Sequence, residues 1–219
     1  MKTFLNLFLI LSQNNNMSKK IAFYIMILIV GGTTLSCVFP YPVFQNKANI
    51  SLSDSEKINN YNESELFVNE SNGKISVAKL NWFDSVNSLF PTYTKTRVID
   101  ATTLKTYYVY RIGGTNHADV EPIDTENTKI FHQLYGNEYS WARRPVWVEI
   151  DDGIWVAGSI NGYPHGESYI SNNNMEGHTC IHFYQSKTHG TKKVDESHQD
   201  CVNKAYKNKT KLAEALKKE

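Results

Sequence analysis

Two β-prone runs flank Asp151-Asp152-Gly153, and no other feature of the chain restricts its fold as much. Val146 to Ile150 and Ile154 to Ser159 are rich in β-branched and aromatic residues, and an Asp-Gly pair between such runs marks a tight hairpin. A second hairpin is predicted from Arg97 to Asp100 and from Leu104 to Arg111. Ala101-Thr102-Thr103 supplies its turn, and Tyr107-Tyr108-Val109-Tyr110 its β propensity. Helical signals stand apart from these strands. Leu80, Phe83, Val86 and Phe90 recur at helical spacing before Pro91, which predicts a helix over 79–89. Asp124 can cap a helix over 125–135 that Gly136 ends, and Asp195 can cap one from 196 onward. Strands and helices in separate runs give the α+β class: an antiparallel sheet with peripheral helices, spanning residues 78–207. The Lys-rich stretch 208–219 reads as a solvated tail.

The first 37 residues look like a targeting segment. Lys19-Lys20 precede an apolar run from Ile21 to Val30, then Gly31-Gly32-Thr33-Thr34 and Leu35-Ser36-Cys37. A basic start, an apolar centre and a small-residue end make a secretory signal. Leu35-Ser36-Cys37 resembles the end of a bacterial lipoprotein signal, which implies lipidation of Cys37. An ordinary signal peptide and a retained anchor are the alternatives, although the apolar run is short for a span of about 20 residues. Met17-Ser18-Lys19-Lys20 is the better translation start. Residues 38–77 are rich in Asn, Ser and Glu and read as a polar tether. A membrane-attached, exported protein follows. Its formal net charge of +1 over 219 residues excludes nucleic acid as a partner, which needs a basic face.

The chemistry concentrates in Gly177-His178-Thr179-Cys180-Ile181-His182-Phe183. If this run is a strand, His178, Cys180 and His182 share one face. His165, in the Gly- and Asn-rich loop 161–177, is the nearest base in sequence. Cys180 then has four readings: a nucleophile activated by His165 or His178, half of a disulfide with Cys201, a metal ligand, or an apolar filler. The thiol reading needs no cofactor. A zinc alternative takes His117, Asp119, His178 and His182 as ligands, with a metal-bound water as nucleophile. Arg143 or Arg144 can hold a substrate carboxylate through a bidentate fork, or form a structural ion pair, and His182 and His189 are further candidates for substrate contact. His189 falls on a loop near the site, whereas His198 reads as part of a helix cap and His132 as surface. Of Trp141, Trp147 and Trp155, two are expected in the core and one in a cleft.

Trp82-Phe83, the run Ile112 to Pro122, Ser140 to Pro145, Asn161 to Gly166, Gly177 to Phe183, Ser186 to Gly190 and Asp195 with His198-Gln199 together resemble a poorly characterised Firmicute domain. That domain often stands beside peptidoglycan-binding modules, which implies the cell envelope and peptidoglycan as partner. His165-Gly166 and His178-x-Cys180 also resemble the L,D-transpeptidase signature. This second resemblance implies Cys180 as nucleophile, His165 as base and His178 as a site-shaping residue. Gly177, Thr179 and His182 depart from that signature, which has Ser/Thr, Gly and Arg or Asn at these places. The expected activity is Cys–His acyl transfer on peptidoglycan stem peptides, giving cross-links or hydrolysis. A metal-dependent peptidase or amidase and a non-catalytic wall-binding lipoprotein are the alternatives.

Overall fold

A computed structural model describes residues 64–69 and 73–217; Met17, Cys37, the signal segment and most of the tether lie outside the described residues. The strands are β1 (Ser64–Asn69), β2 (Gly73–Ala78), β3 (Lys95–Asp100), β4 (Thr106–Gly113), β5 (Ala118–Pro122), β6 (Ser140–Asp151), β7 (Ile154–Gly162) and β8 (Thr179–His182). A single π-helical turn, Trp82–Val86, runs into α1 (Asn87–Leu89). The other helices are α2 (Thr125–Gln133), α3 (Glu196–Lys207) and α4 (Thr210–Leu216).

Both predicted hairpins form, and the chain mixes antiparallel strands with helices as the sequence implies. The sheet does more than the hairpins suggest. β7, β6, β3, β4, β5 and β8 pair in that order, all antiparallel, and β8 pairs back to β7. Closure makes a six-stranded barrel, but the short β8 pairs with only the later part of β7 and leaves the Ile154–Val156 edge open. β2 fills that edge by pairing in parallel with β7, and β1 pairs with β2.

Period two sorts the strand residues onto two buried faces. Val98, Val146, Val148, Val156, Ile160 and Ile181 fill one core together with Phe131 from α2. Their neighbours Ile99, Trp147, Trp155 and Ala157 point the other way, into a second core with Val202 and Ala205 of α3 and Leu212 of α4. Burial on both sides explains why β6 and β7 read as continuous apolar runs. Trp147 fixes the helix to the barrel by donating Nε1–H to the Ala205 carbonyl at 2.9 Å.

Three boundaries differ from the expected ones. The tether does not reach residue 77, because β2 pairs with β7 and Ile75 and Val77 are buried. Residues 210–216 are not a solvated tail, because α4 buries Leu212 and Ala215 against the second core. The first helix is a π turn and a short α turn, which buries Trp82 and Val86 while Phe83 is exposed. The caps form as predicted: Asp124 accepts from the Asn127 N–H and Asp195 from the His198 N–H.

Candidate active site

The site lies on the barrel's outer face, where β5, β8 and β7 meet. Asp119 of β5 stands directly opposite Cys180 of β8, and Ser159 of β7 opposite His182. Ala118, Val120 and Ile181 face the first core, so His117, Asp119, Cys180 and His182 face outward, by alternation along the strands. The strand expected at Cys180 therefore exists. It places Cys180 and His182 on one face with His178 at its entrance.

The loop between β7 and β8 brings His165 back over Cys180. His165 and His178 form a two-way backbone bridge, with N–H to carbonyl distances of 2.8 and 2.9 Å. Two glycines make this crossing feasible. Gly166 has φ +65°, and a Cβ there would lie 2.4 Å from the His178 ring; Gly177 has φ +98°, and its Cβ would lie 2.8 Å from the His165 carbonyl oxygen. Glu121 pins the rest of the loop. Its buried carboxylate accepts from the Tyr169 and Ile170 backbone amides and from Asn173 Nδ2.

Hydrogen bonds fix the His165 tautomer. Nδ1 lies 2.9 Å from the Tyr163 carbonyl, which can only accept, so Nδ1 carries the proton. Nε2 then presents its lone pair to Cys180 Sγ at 3.1 Å. The same logic gives His178 a proton on Nδ1, donated to the Glu167 carbonyl at 3.1 Å. Burial lowers the His165 pKa, which keeps the imidazole neutral and able to accept a proton.

The thiol departs from expectation. Burial and then the Asp119 carboxylate push the Cys180 pKa well up, where a neighbouring imidazole alone would lower it. Burial also works to raise the Asp119 carboxyl, but the His117 hydrogen bond and the surrounding imidazoles outweigh it and hold the group below its ordinary value. At rest the pair is a neutral thiol beside a neutral imidazole. Cys180 and Cys201 are both free thiols, so the disulfide reading is corrected: Cys180 faces His165 and Asp119 instead.

A column of rings supports the site from below. His182 stacks on His117 at 4.3 Å and on His198 at 3.7 Å, and His198 Nδ1 meets Ser159 Oγ at 2.8 Å. Burial drives the middle ring His182 and the outer ring His198 neutral, lowering His198 to about 3 and His182 further. His182 thus sits neutral between the His117 and His198 rings. His198 is a structural part of the site, beyond the cap role that its sequence position suggested. His189 closes the other end, edge-on to His117 at 4.2 Å and half exposed.

The cleft above holds about 240 Å³ and is lined by Trp141, Arg143, Asn161, His165, Cys180 and His189, among others. Trp141 and Tyr163 stack at 4.7 Å beside His165 and remain partly exposed, whereas Trp147 and Trp155 are fully buried. Arg143 lines the cleft and contacts Asp195 at 3.4 Å. Arg144 does not reach the cleft. Its guanidinium grips buried Asp100 through two bonds, 2.7 and 2.9 Å, so its expected substrate role is replaced by a structural one.

Cys180, His165, His178, His182, His189, His117, Asp119 and Arg143 are thus brought together. His198, Glu121 and the Tyr163 half of the platform are the functional elements that the sequence reading missed. The first needs the helix placed over β8, and the other two need the loop's path. No family model, curated protein or solved structure matches the chain.

Proposed function

We propose that this is an exported cell-envelope enzyme that transfers or hydrolyses peptidoglycan stem-peptide amides by Cys–His acyl transfer. The carrying observation is His165 Nε2, unprotonated by tautomer and 3.1 Å from Cys180 Sγ. The resemblance to L,D-transpeptidases in His165-Gly166 and His178-x-Cys180 supports the same roles.

Cys180 Sγ attacks the amide carbonyl, and its proton passes to His165 Nε2 as the S–C bond forms. Asp119, 3.6 Å from Sγ, disfavours a free thiolate, so the proton leaves during the attack and not before it. The C–N bond then breaks and His165 returns the proton to the departing amine. An amine acceptor attacking the thioester gives a cross-link, and water gives hydrolysis. Arg143 supplies a positive charge for a stem-peptide carboxylate, and the Trp141–Tyr163 pair offers a flat apolar surface beside it.

The α+β domain follows a signal segment and polar tether, with a lipid on Cys37 holding it to the membrane. Metabolic labelling with a fatty acid tests that part: label lost in Cys37→Ala supports it, and an unlabelled wild type refutes it. The activity is tested by incubating the protein with purified sacculi and separating the muropeptides. Wild type is expected to alter cross-linked or stem-peptide species, and Cys180→Ala is expected to leave them unchanged. An unchanged pattern with wild type would remove the reading.

A further inference from the structure

Four donor atoms in the site converge more closely than a thiol and its base require. His117 Nε2 and His189 Nε2 are 2.9 Å apart, and each lies 3.2 Å from Asp119 Oδ1. Cys180 Sγ lies 3.5 Å from His189 Nε2 and 3.6 Å from Asp119 Oδ1. Zinc bond lengths set at tetrahedral angles give ligand separations of about 3.4 Å between nitrogen and oxygen donors, and about 3.6 Å from sulfur. Four of these five distances fall within about 0.2 Å of those edges, the imidazole pair is about 0.5 Å tighter, and the sixth edge, from Cys180 to His117, is within 4.8 Å.

The surroundings have the form that such a centre needs. His117 Nδ1 donates to the Lys187 carbonyl, which leaves Nε2 as the ring atom that a cation beside His189 and Asp119 would take. Two imidazole nitrogens in contact require a proton or a cation between them. Charge favours the cation. One carboxylate and one thiolate neutralise a divalent ion, and a neutral centre suits a site in which His117 and Cys180 are almost wholly buried. An alternative set of His165, His178, Cys180 and His189 would keep a net positive charge.

We propose that His117, Asp119, Cys180 and His189 bind a divalent transition metal of the zinc class. His182 is left out of the ligands, because neither of its nitrogens joins the donor atoms that converge within 4.8 Å of one another. Binding releases the thiol proton to solvent and forms a metal–sulfur bond. Metal-loaded Cys180 is then no free nucleophile, so acyl transfer belongs to the metal-free form. The site itself stands independently of the acyl-transfer reading.

Full-length protein stripped with a chelator would be titrated with Co²⁺ and followed by absorption, then with Zn²⁺ against a competing chromophoric chelator. Stoichiometric binding with intense tetrahedral ligand-field bands and a sulfur-to-cobalt charge-transfer band is expected from wild type. Cys180→Ser should lose the charge-transfer band. Asp119→Asn and His189→Ala should each weaken Zn²⁺ at least roughly 100-fold, beyond the range of outer-shell changes. His165→Ala should bind as wild type does. Absence of the sulfur band in wild type, which needs no variant to fold, overturns the proposal. So does metal lost in His165→Ala but kept in His117→Ala. A protein that binds cobalt through sulfur yet never acylates upholds this site and refutes the acyl-transfer reading; acylation without metal binding does the reverse.

Discussion

Replacing Glu121 with Gln should loosen the loop that carries both His165 and His178. One carboxylate oxygen accepts from the Tyr169 N–H at 2.7 Å, and the other from the Ile170 N–H at 3.0 Å and Asn173 Nδ2 at 3.1 Å. A glutamine keeps one acceptor oxygen and turns an NH₂ against the remaining donor. One buried backbone N–H left facing a donor costs about 1–3 kcal/mol. The surviving bonds also lose their charge assistance, which roughly halves them. Relief of the carboxylate's own desolvation offsets part of this. The sum is about 3 kcal/mol. In a domain of this size about 2–4 °C accompanies each kcal/mol, so the melting temperature should fall by about 6–12 °C. Thermal denaturation followed by circular dichroism gives the shift, and hydrogen exchange at Tyr169 and Ile170 gives its location. A melting temperature within about 2 °C of wild type, with both amides equally protected, would refute the reasoning.

Arg144→Ala should destabilise by about 3–5 kcal/mol in denaturant melts, because it strands buried Asp100 without its guanidinium. Arg143→Ala should leave stability within about 1 kcal/mol and act on substrate turnover instead. Gly166→Ala should abolish muropeptide processing while the barrel folds, since its Cβ would displace the His178 ring; normal activity would contradict the crossing geometry. Asp124→Ala should cost about 1 kcal/mol as a lost helix cap. The Asn127 backbone N–H holds the Asp124 carboxyl below its ordinary value. That stabilisation is therefore complete above the ordinary carboxylate pKa and disappears as pH falls through the lowered one, so the gap between variant and wild type should close in acid.

The strands were legible because their chemistry is local. Asp151-Asp152-Gly153 and Asp124 each act on neighbours in sequence, and both formed as predicted. Barrel closure was not legible, since the β7–β8 pairing depends on Ser159 meeting His182 across a long loop. The same distance in sequence separates what was read of the site from what was missed. His165, His178 and Cys180 announce themselves in one stretch. His198 enters only because α3 packs over β7 and β8, and its helical position carries no mark of that. Arg143 and Arg144 are adjacent in sequence, yet one enters the cleft and the other finds Asp100. The C-terminal Lys-rich stretch reads as solvated because its charges mask Leu212 and Ala215, which are a helical turn apart and join the second core.

Intact-mass analysis of the metal-free protein with a stem-tetrapeptide substrate tests the central claim most directly. A covalent acyl adduct on Cys180 is predicted, absent in Cys180→Ala and formed about 10²–10⁴-fold more slowly in His165→Ala, the usual worth of a positioned base. No adduct on wild type, or an adduct whose rate ignores His165, would contradict the Cys–His mechanism.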